Sequence, residues 1–143
     1  MKLKQLSLFL ENRPGQLHAP CEALAAAGID LLTMSLADTA QFGILRFIVR
    51  DPEHAKKVLE RAGMVVRMTD VVPVEVENRP GGLAEVLARI EEAGLGVEYM
   101  YDFGAASRGG KAAIVFRFED PDKALGALET AGIRILAMEE LLP

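Results

Sequence analysis

Two stretches of this chain spell almost the same heptapeptide. Glu11-Asn12-Arg13-Pro14-Gly15-Gln16-Leu17 returns as Glu77-Asn78-Arg79-Pro80-Gly81-Gly82-Leu83, 66 residues later and with one mismatch. Ala27-Gly28-Ile29 answers to Ala93-Gly94-Leu95 at the same separation. Asp51-Pro52 answers to Asp120-Pro121, and Ala62-Gly63-Met64 to Ala131-Gly132-Ile133, both at 69. The three extra residues place one insertion in a loop between the second and third matches. A chain that repeats itself folds as two similar units, here residues 1–70 and 71–143.

Each unit is close to the lower size limit for a stable domain. Half of the 143 residues are apolar, so each can build a core, and a shared surface between the units would add to it. The net charge is −5, from 16 Lys and Arg against 21 Asp and Glu, with no basic run. That balance argues against a protein that neutralises nucleic-acid phosphates. Cys21 is the only cysteine, which rules out a disulfide framework or a cysteine zinc cluster. The apolar stretch from Leu6 to Leu10 is too short for a signal-peptide core, and no stretch is long enough to span a bilayer. The expectation is a cytoplasmic protein without membrane contact, cofactor or metal.

The polarity pattern of one unit recurs in the other. Leu6, Leu8 and Leu10 alternate with Gln5, Ser7 and Phe9, and Val72, Val74 and Val76 with Pro73, Glu75 and Glu77, the period of a strand with one covered face. Pro73 cannot donate to a ladder, so full pairing is expected only from Val74 onward. Leu17, Cys21 and Leu24, like Leu83, Leu87 and Ile90, then mark a helix that ends at Gly28 or Gly94. Pro20 removes a helical hydrogen bond just after the first turn, so the first helix should start irregularly. Two strands follow, at 29–36 and 43–50, then at 95–103 and 111–119. Their second faces mix Ile44, Arg46 and Ile48, or Ala113, Val115 and Arg117, and should pack against something. Asp51-Pro52 and Asp120-Pro121 open a second helix as N-cap and first helical residue. Short strands at 64–69 and 133–138 complete the order βαββαβ, twice. Right-handed crossovers make this an α+β fold of two ferredoxin-like units, each an antiparallel sheet with both helices on one face.

The repeated segment joins the first strand to the first helix. Proline and glycine make a tight turn there, and glycine lets a ligand approach the backbone. The amides of Gly15, Gln16 and Leu17, and of Gly81, Gly82 and Leu83, open a helix and suit a small carboxylate. Asn12 and Asn78 add a donor and an acceptor for the two charged groups of an α-amino acid. Turn chemistry alone also accounts for these residues, and a duplicated fold duplicates its turns.

The βαββαβ order, the Asn-x-Pro-Gly-x-Leu turn and the Ala-Gly-Ile/Leu start of the second strand resemble the ACT domain, as two tandem copies over essentially the whole chain. The resemblance implies binding of amino acids or similar effectors, regulation of metabolic enzymes, and side-by-side association through strand edges into an extended sheet, with effectors at the junction. Carried over by position, the binding turn comprises Asn12, Arg13, Pro14, Gly15, Gln16 and Leu17, and in the second unit Asn78, Gly81, Gly82 and Leu83. Family members often have an asparagine just after the Gly-Ile of the second strand. Asp30 and Gly96 stand there, so the first site is expected to hold more side-chain chemistry.

Other features carry less. The glycine-rich connection 104–110, with Ser107 and Arg108, is either a mobile lid or a plain hairpin tip, and its spacing is not that of a phosphate loop. Cys21 aligns with Leu87 on an apolar stripe and reads as a core residue. His18 and His54 have no repeated counterparts and no metal-ligand spacing. Tyr99, Tyr101 and Phe103 alternate on one strand and read as core or interface residues, and Arg46-Phe47 and Arg117-Phe118 are too sparse for an RNA-binding face. An acylphosphatase-like hydrolase would need an asparagine on the second or third strand, and none is there. The expectation is a non-enzymatic regulatory protein that binds an L-amino acid where units meet, dimerises, and addresses a metabolic enzyme. A hydrolase and a ligand-free interaction subunit are the alternatives.

Overall fold

The computed structural model describes residues 1–11, 13–38, 41–104 and 109–143. They form two compact units, one of residues 4–69 and one of residues 70–143 together with 1–3. Asn12, and Ser107 and Arg108 of the 104–110 connection, lie outside the described residues.

In the amino-terminal unit, β1 (Leu3–Glu11) pairs antiparallel with β3 (Phe42–Ile48), from Leu6 opposite Phe47 to Glu11 opposite Phe42. β2 (Thr33–Asp38) covers the other side of β3, from Thr33 opposite Ile48 to Asp38 opposite Gly43. It is the last strand on that side of the order β2-β3-β1. Leu6, Leu8, Leu45 and Phe47 share a sheet face and form a core with Leu24 of α1 (His18–Ala26) and Ala55 and Leu59 of α2 (Pro52–Arg61). Both helices therefore lie on one face. Burying a leucine or phenylalanine of this kind contributes about 1.5–3 kcal/mol.

The carboxy-terminal unit repeats the plan. β4 (Val66–Glu77) pairs with β6 (Lys111–Phe118), which pairs with β5 (Val97–Asp102). Val72, Val74, Val76, Phe116 and Phe118 form a core with Ile90 of α3 (Gly82–Glu92) and Ala124 and Leu128 of α4 (Pro121–Thr130). Asp51 and Asp120 cap α2 and α4, each accepting from the amide three residues on at 3.1 Å. Such caps contribute about 1 kcal/mol.

Two expected strands turn out differently. No break separates residues 64–69 from 72–77: β4 runs unbroken for 12 residues, and the division between units falls within it, at Thr69–Asp70. The closing strand expected at 133–138 is reduced to one bridge, Val74 to Ile135, followed by the short helix α5 (Met138–Leu141). Pro73 supplies the reason. Leu136 donates to the Pro73 carbonyl at 2.9 Å, but Pro73 has no N–H to return the bond, so the ladder stops. On its other side Pro73 sits opposite Val115 and β4 pairs from Val72 onward, so the proline interrupts the opposite edge from the one where pairing would begin.

Pro20 acts as its chemistry demands. α1 begins at His18, whereas α3 begins at Gly82, the counterpart of Gln16. The hydrogen bond from Ala19 to Gly15 is 3.3 Å long, against 3.0 Å for Glu85 to Gly81. On the second sheet faces Ile48, Val71, Ala113 and Val115 are buried, whereas Ile44 is half-buried and Phe9 opposite it is exposed. Buried Gln5 on that face donates to the Ser7 hydroxyl at 3.1 Å, which gives each buried polar side chain a partner.

Candidate functional site

Arg-Pro-Gly makes the same turn twice. Gly15 and Gly81 have φ of +90° and +86°, and Gln16 and Gly82 donate to the carbonyls of Arg13 and Arg79 at 3.3 and 3.0 Å. With proline second and a positive-φ glycine third, these are type II β-turns. Their closure corrects one expectation. The amides of Gln16 and Gly82 are consumed by the turn and do not face a ligand. Among the described residues no backbone partner takes the amides of Gly15, Leu17 or Gly81.

One substitution within the repeat separates the two turns. A Cβ on Gly82 would stand 1.9 Å from the Glu77 carbonyl oxygen, so the strand end presses directly on the start of α3. The first repeat carries Gln16 at that position, half-buried and lining a cavity.

That cavity has a volume of about 210 Å³ and lies between the turn, the end of β1 and the edge strand β2. Leu10, Leu17 and Leu36 supply its apolar wall; Glu11, Arg13 and Asp38 supply charge. Arg13 pairs with Glu11 at 2.8 Å, both well exposed. The edge beside it is apolar, with Met34 and Leu36 52% and 55% exposed although they share the face of core residues Phe47 and Leu45. The helices do not reach that far.

The second turn borders a different space, about 260 Å³ in volume, between α3, β4 and residues 132–134. Its lining is charged. Arg79 pairs with Glu85 at 2.9 Å, Arg134 with Glu75 at 2.8 Å, and Lys111 with Glu77. Hydrogen bonding from Lys111 holds the Glu77 carboxyl below its ordinary value of 4.5. A depressed acid contributes stability above its unfolded pKa and loses it as pH falls through the lower folded value. The difference in urea midpoint between wild type and Glu77→Gln should therefore be constant near neutrality and shrink below about pH 4.5.

Arg13, Gln16 and Leu17 line the first cavity, whereas Pro14 and Gly15 lie exposed outside it. Gly82 lines the second, and Leu83 packs against the core, unlike its exposed counterpart Leu17. Asn78 is exposed and its amide donates to Gly110 at 2.9 Å. Asp30 does not join the turn of its own unit. It precedes β2 at the Thr33–Ile48 end of the sheet, while the turn follows Glu11 at the Phe42 end. Five strand steps at about 3.3 Å put these ends roughly 16 Å apart. Leu36 and Asp38 were not foreseen as site residues; the signal was an edge strand with apolar residues and no Lys or Arg.

A family model described as an ACT domain pair matches residues 1–142. The chain belongs to the ACT domain family. A solved Bacteroides thetaiotaomicron protein is 40% identical, with a TM-score of 0.89, over 99% of this chain and 96% of that one. The regulatory subunits of aspartate kinase from Thermus thermophilus and Thermus flavus share the fold at 20% and 19% identity. Their TM-scores are 0.63 and 0.60, over 90% of this chain and 91% and 92% of theirs. No curated protein matches the chain. Among the described residues of this ACT pair, no His, Cys, Asp and Glu group could hold a metal, and no helix is long and apolar enough to cross a membrane.

Proposed function

We propose that this ACT pair is a non-catalytic cytoplasmic regulator that binds a small effector, an L-amino acid, in the cavity beside the Arg13–Leu17 turn. The observation that carries it is the opening of that cavity onto an edge strand whose Met34 and Leu36 are exposed. Arg13 and the Leu17 amide would take the carboxylate, and Leu10, Leu17 and Leu36 the apolar side chain; all of them line the cavity.

The β2 edge of a second copy completes the site. An edge strand with no Lys or Arg and two exposed apolar side chains is a template for another strand. When two β2 strands pair antiparallel about a two-fold axis, the beginning of one lies beside the end of the other. Asp30 of the second copy then reaches the turn it cannot reach in its own unit, and takes the ammonium group with Asn12. Effector binding tightens the dimer, and its occupancy is read by a partner enzyme through the reciprocal coupling of the two affinities.

A thermal-shift screen of the common L-amino acids tests this. An effector at 100 times its dissociation constant should stabilise the protein by about 2.7 kcal/mol. Leu36→Lys should both convert dimer to monomer on a sizing column and abolish the shift. A flat response to every amino acid, or a shift that Leu36→Lys leaves intact, would remove the basis of the proposal.

A further inference from the structure

The second face of the amino-terminal sheet changes character along its length. At one end Thr33 and Ile48 stand opposite one another and are buried. Ser7 and Arg46 make the next row on that face, the first buried and the second half-buried. Phe9 and Ile44 follow, then Glu11 and Phe42. There the cover stops: Phe9 is 60% and Phe42 46% exposed, with Ile44 half-buried beside them. Diagonal neighbours across an antiparallel pair stand about 7–8 Å apart, so the two rings and Ile44 form one apolar ledge. The fold does not require it. In the carboxy-terminal unit the same register sets Glu75 opposite Ala113 and Lys111 opposite Glu77, with charges where the rings would be. Apolar side chains stabilise a fold by leaving water, and these two rings have not left it.

We propose that this ledge binds a free nucleotide, its base stacked on Phe9 and Phe42. Exposed aromatic side chains on a sheet face are a recurring base-stacking surface, because every base has a π-face. Size argues against a protein partner. With about 200 Å² for a whole ring side chain, the exposed parts of Phe9 and Phe42 come to roughly 200 Å² together. Each partner in a stable protein complex buries about 800 Å². Polarity separates a nucleotide from other ring compounds. Arg46 lies four residues along β3 from Phe42 on the same face, roughly 13 Å from the Glu11 row. Glu11 accepts from the donors on the base edge, and Arg46 takes the phosphate beyond the sugar. The existing pair of Glu11 with Arg13 is exposed and therefore weak, so it yields Glu11 at little cost. An aromatic amino acid carries both of its charges on one carbon and cannot span that distance. A nucleic-acid strand fits less well: residues 4–69 hold eight Lys and Arg against seven Asp and Glu, with no basic run. That suffices for one phosphate, not for a track of them. The ledge lies on the opposite sheet face from Leu10 and Leu36 of the first cavity and does not depend on that site being occupied.

Isothermal titration with AMP, GMP, CMP and UMP tests the proposal, with ribose phosphate as the probe lacking a base. At least one nucleotide should bind once per chain, and ribose phosphate at least tenfold more weakly. Phe9→Glu and Phe42→Lys write the carboxy-terminal residues into the amino-terminal unit, and each should weaken the nucleotide tenfold or more. Phe9→Tyr keeps a ring and should keep the affinity. Arg46→Gln should weaken the nucleotide but leave binding of the matching nucleoside unchanged. Both phenylalanines are exposed, so the melting temperatures of their variants should stay near wild type. Absence of binding by all four nucleotides, equal binding of ribose phosphate, or binding that survives Phe9→Glu would each overturn the assignment. Binding lost in Leu36→Lys would place the guest in the other cavity and overturn it as well.

Discussion

Replacing Gly82 by alanine should destabilise the carboxy-terminal unit by about 3 kcal/mol, the upper part of the range for forcing a methyl into occupied space. The new Cβ would lie 1.9 Å from the Glu77 carbonyl oxygen and 2.9 Å from its carbon. Both are backbone atoms, so no rotamer change can relieve the overlap. Either the end of β4 or the first turn of α3 must move, and the type II turn between them limits both. Gly81→Ala is the informative comparison. Its φ of +86° is unfavourable for alanine, but its nearest neighbour is the Arg79 side chain at 4.0 Å. It should cost only about 1–2 kcal/mol, the left-handed penalty alone. Chemical denaturation of the two variants checks the order. Gly81→Ala proving the more damaging would mean that the close approach at Gly82 is not a constraint. Gln16→Gly in the first repeat should cost less than either, because Gln16 borders open space.

Phe116→Ala should cost about 3–5 kcal/mol, close to the whole stability expected of a unit this small. Phe116 is fully buried in the second core, and its ring stacks on Phe118 with centroids 5.4 Å apart. Truncation removes the burial, the ring pair and the packing of Val72 opposite it on β4. The surrounding sheet is paired on both sides of β6, so collapse into the cavity is restricted. Hydrogen exchange should show residues 70–143 losing protection first. The measurement that counts against it is a urea midpoint within error of wild type.

Regular elements were legible because the repeat allowed each pattern to be checked against a second copy. Leu6, Leu8 and Leu10 carry the two-residue alternation of a strand with one covered face, and Asp51-Pro52 and Asp120-Pro121 mark helix starts through local capping. The failures were at places where a distant partner decides. Residues 133–138 have strand-like polarity, but whether they form a ladder depends on the donor missing from Pro73, some 60 residues earlier. The amides of Gln16 and Gly82 looked available because they open a helix, and only the closed turn shows them used.

The candidate sites divide in the same way. Sequence by itself determined the duplication, the twice-made turn and membership of an α+β pattern, because these follow from residues within a few positions of one another. It also exposed the inequality of Asp30 and Gly96. What only the tertiary structure decided is which residues share a space. Strand register separates Asp30 from its own turn and brings Leu36 and Asp38 beside it. The approach of β4 to α3 makes Gly82 a contact point, and chain crossings gather charges from residues 75 to 134 into one cleft. Backbone conformation is set locally by sterics and hydrogen bonding, whereas a site is made of distances between segments, which no single segment encodes.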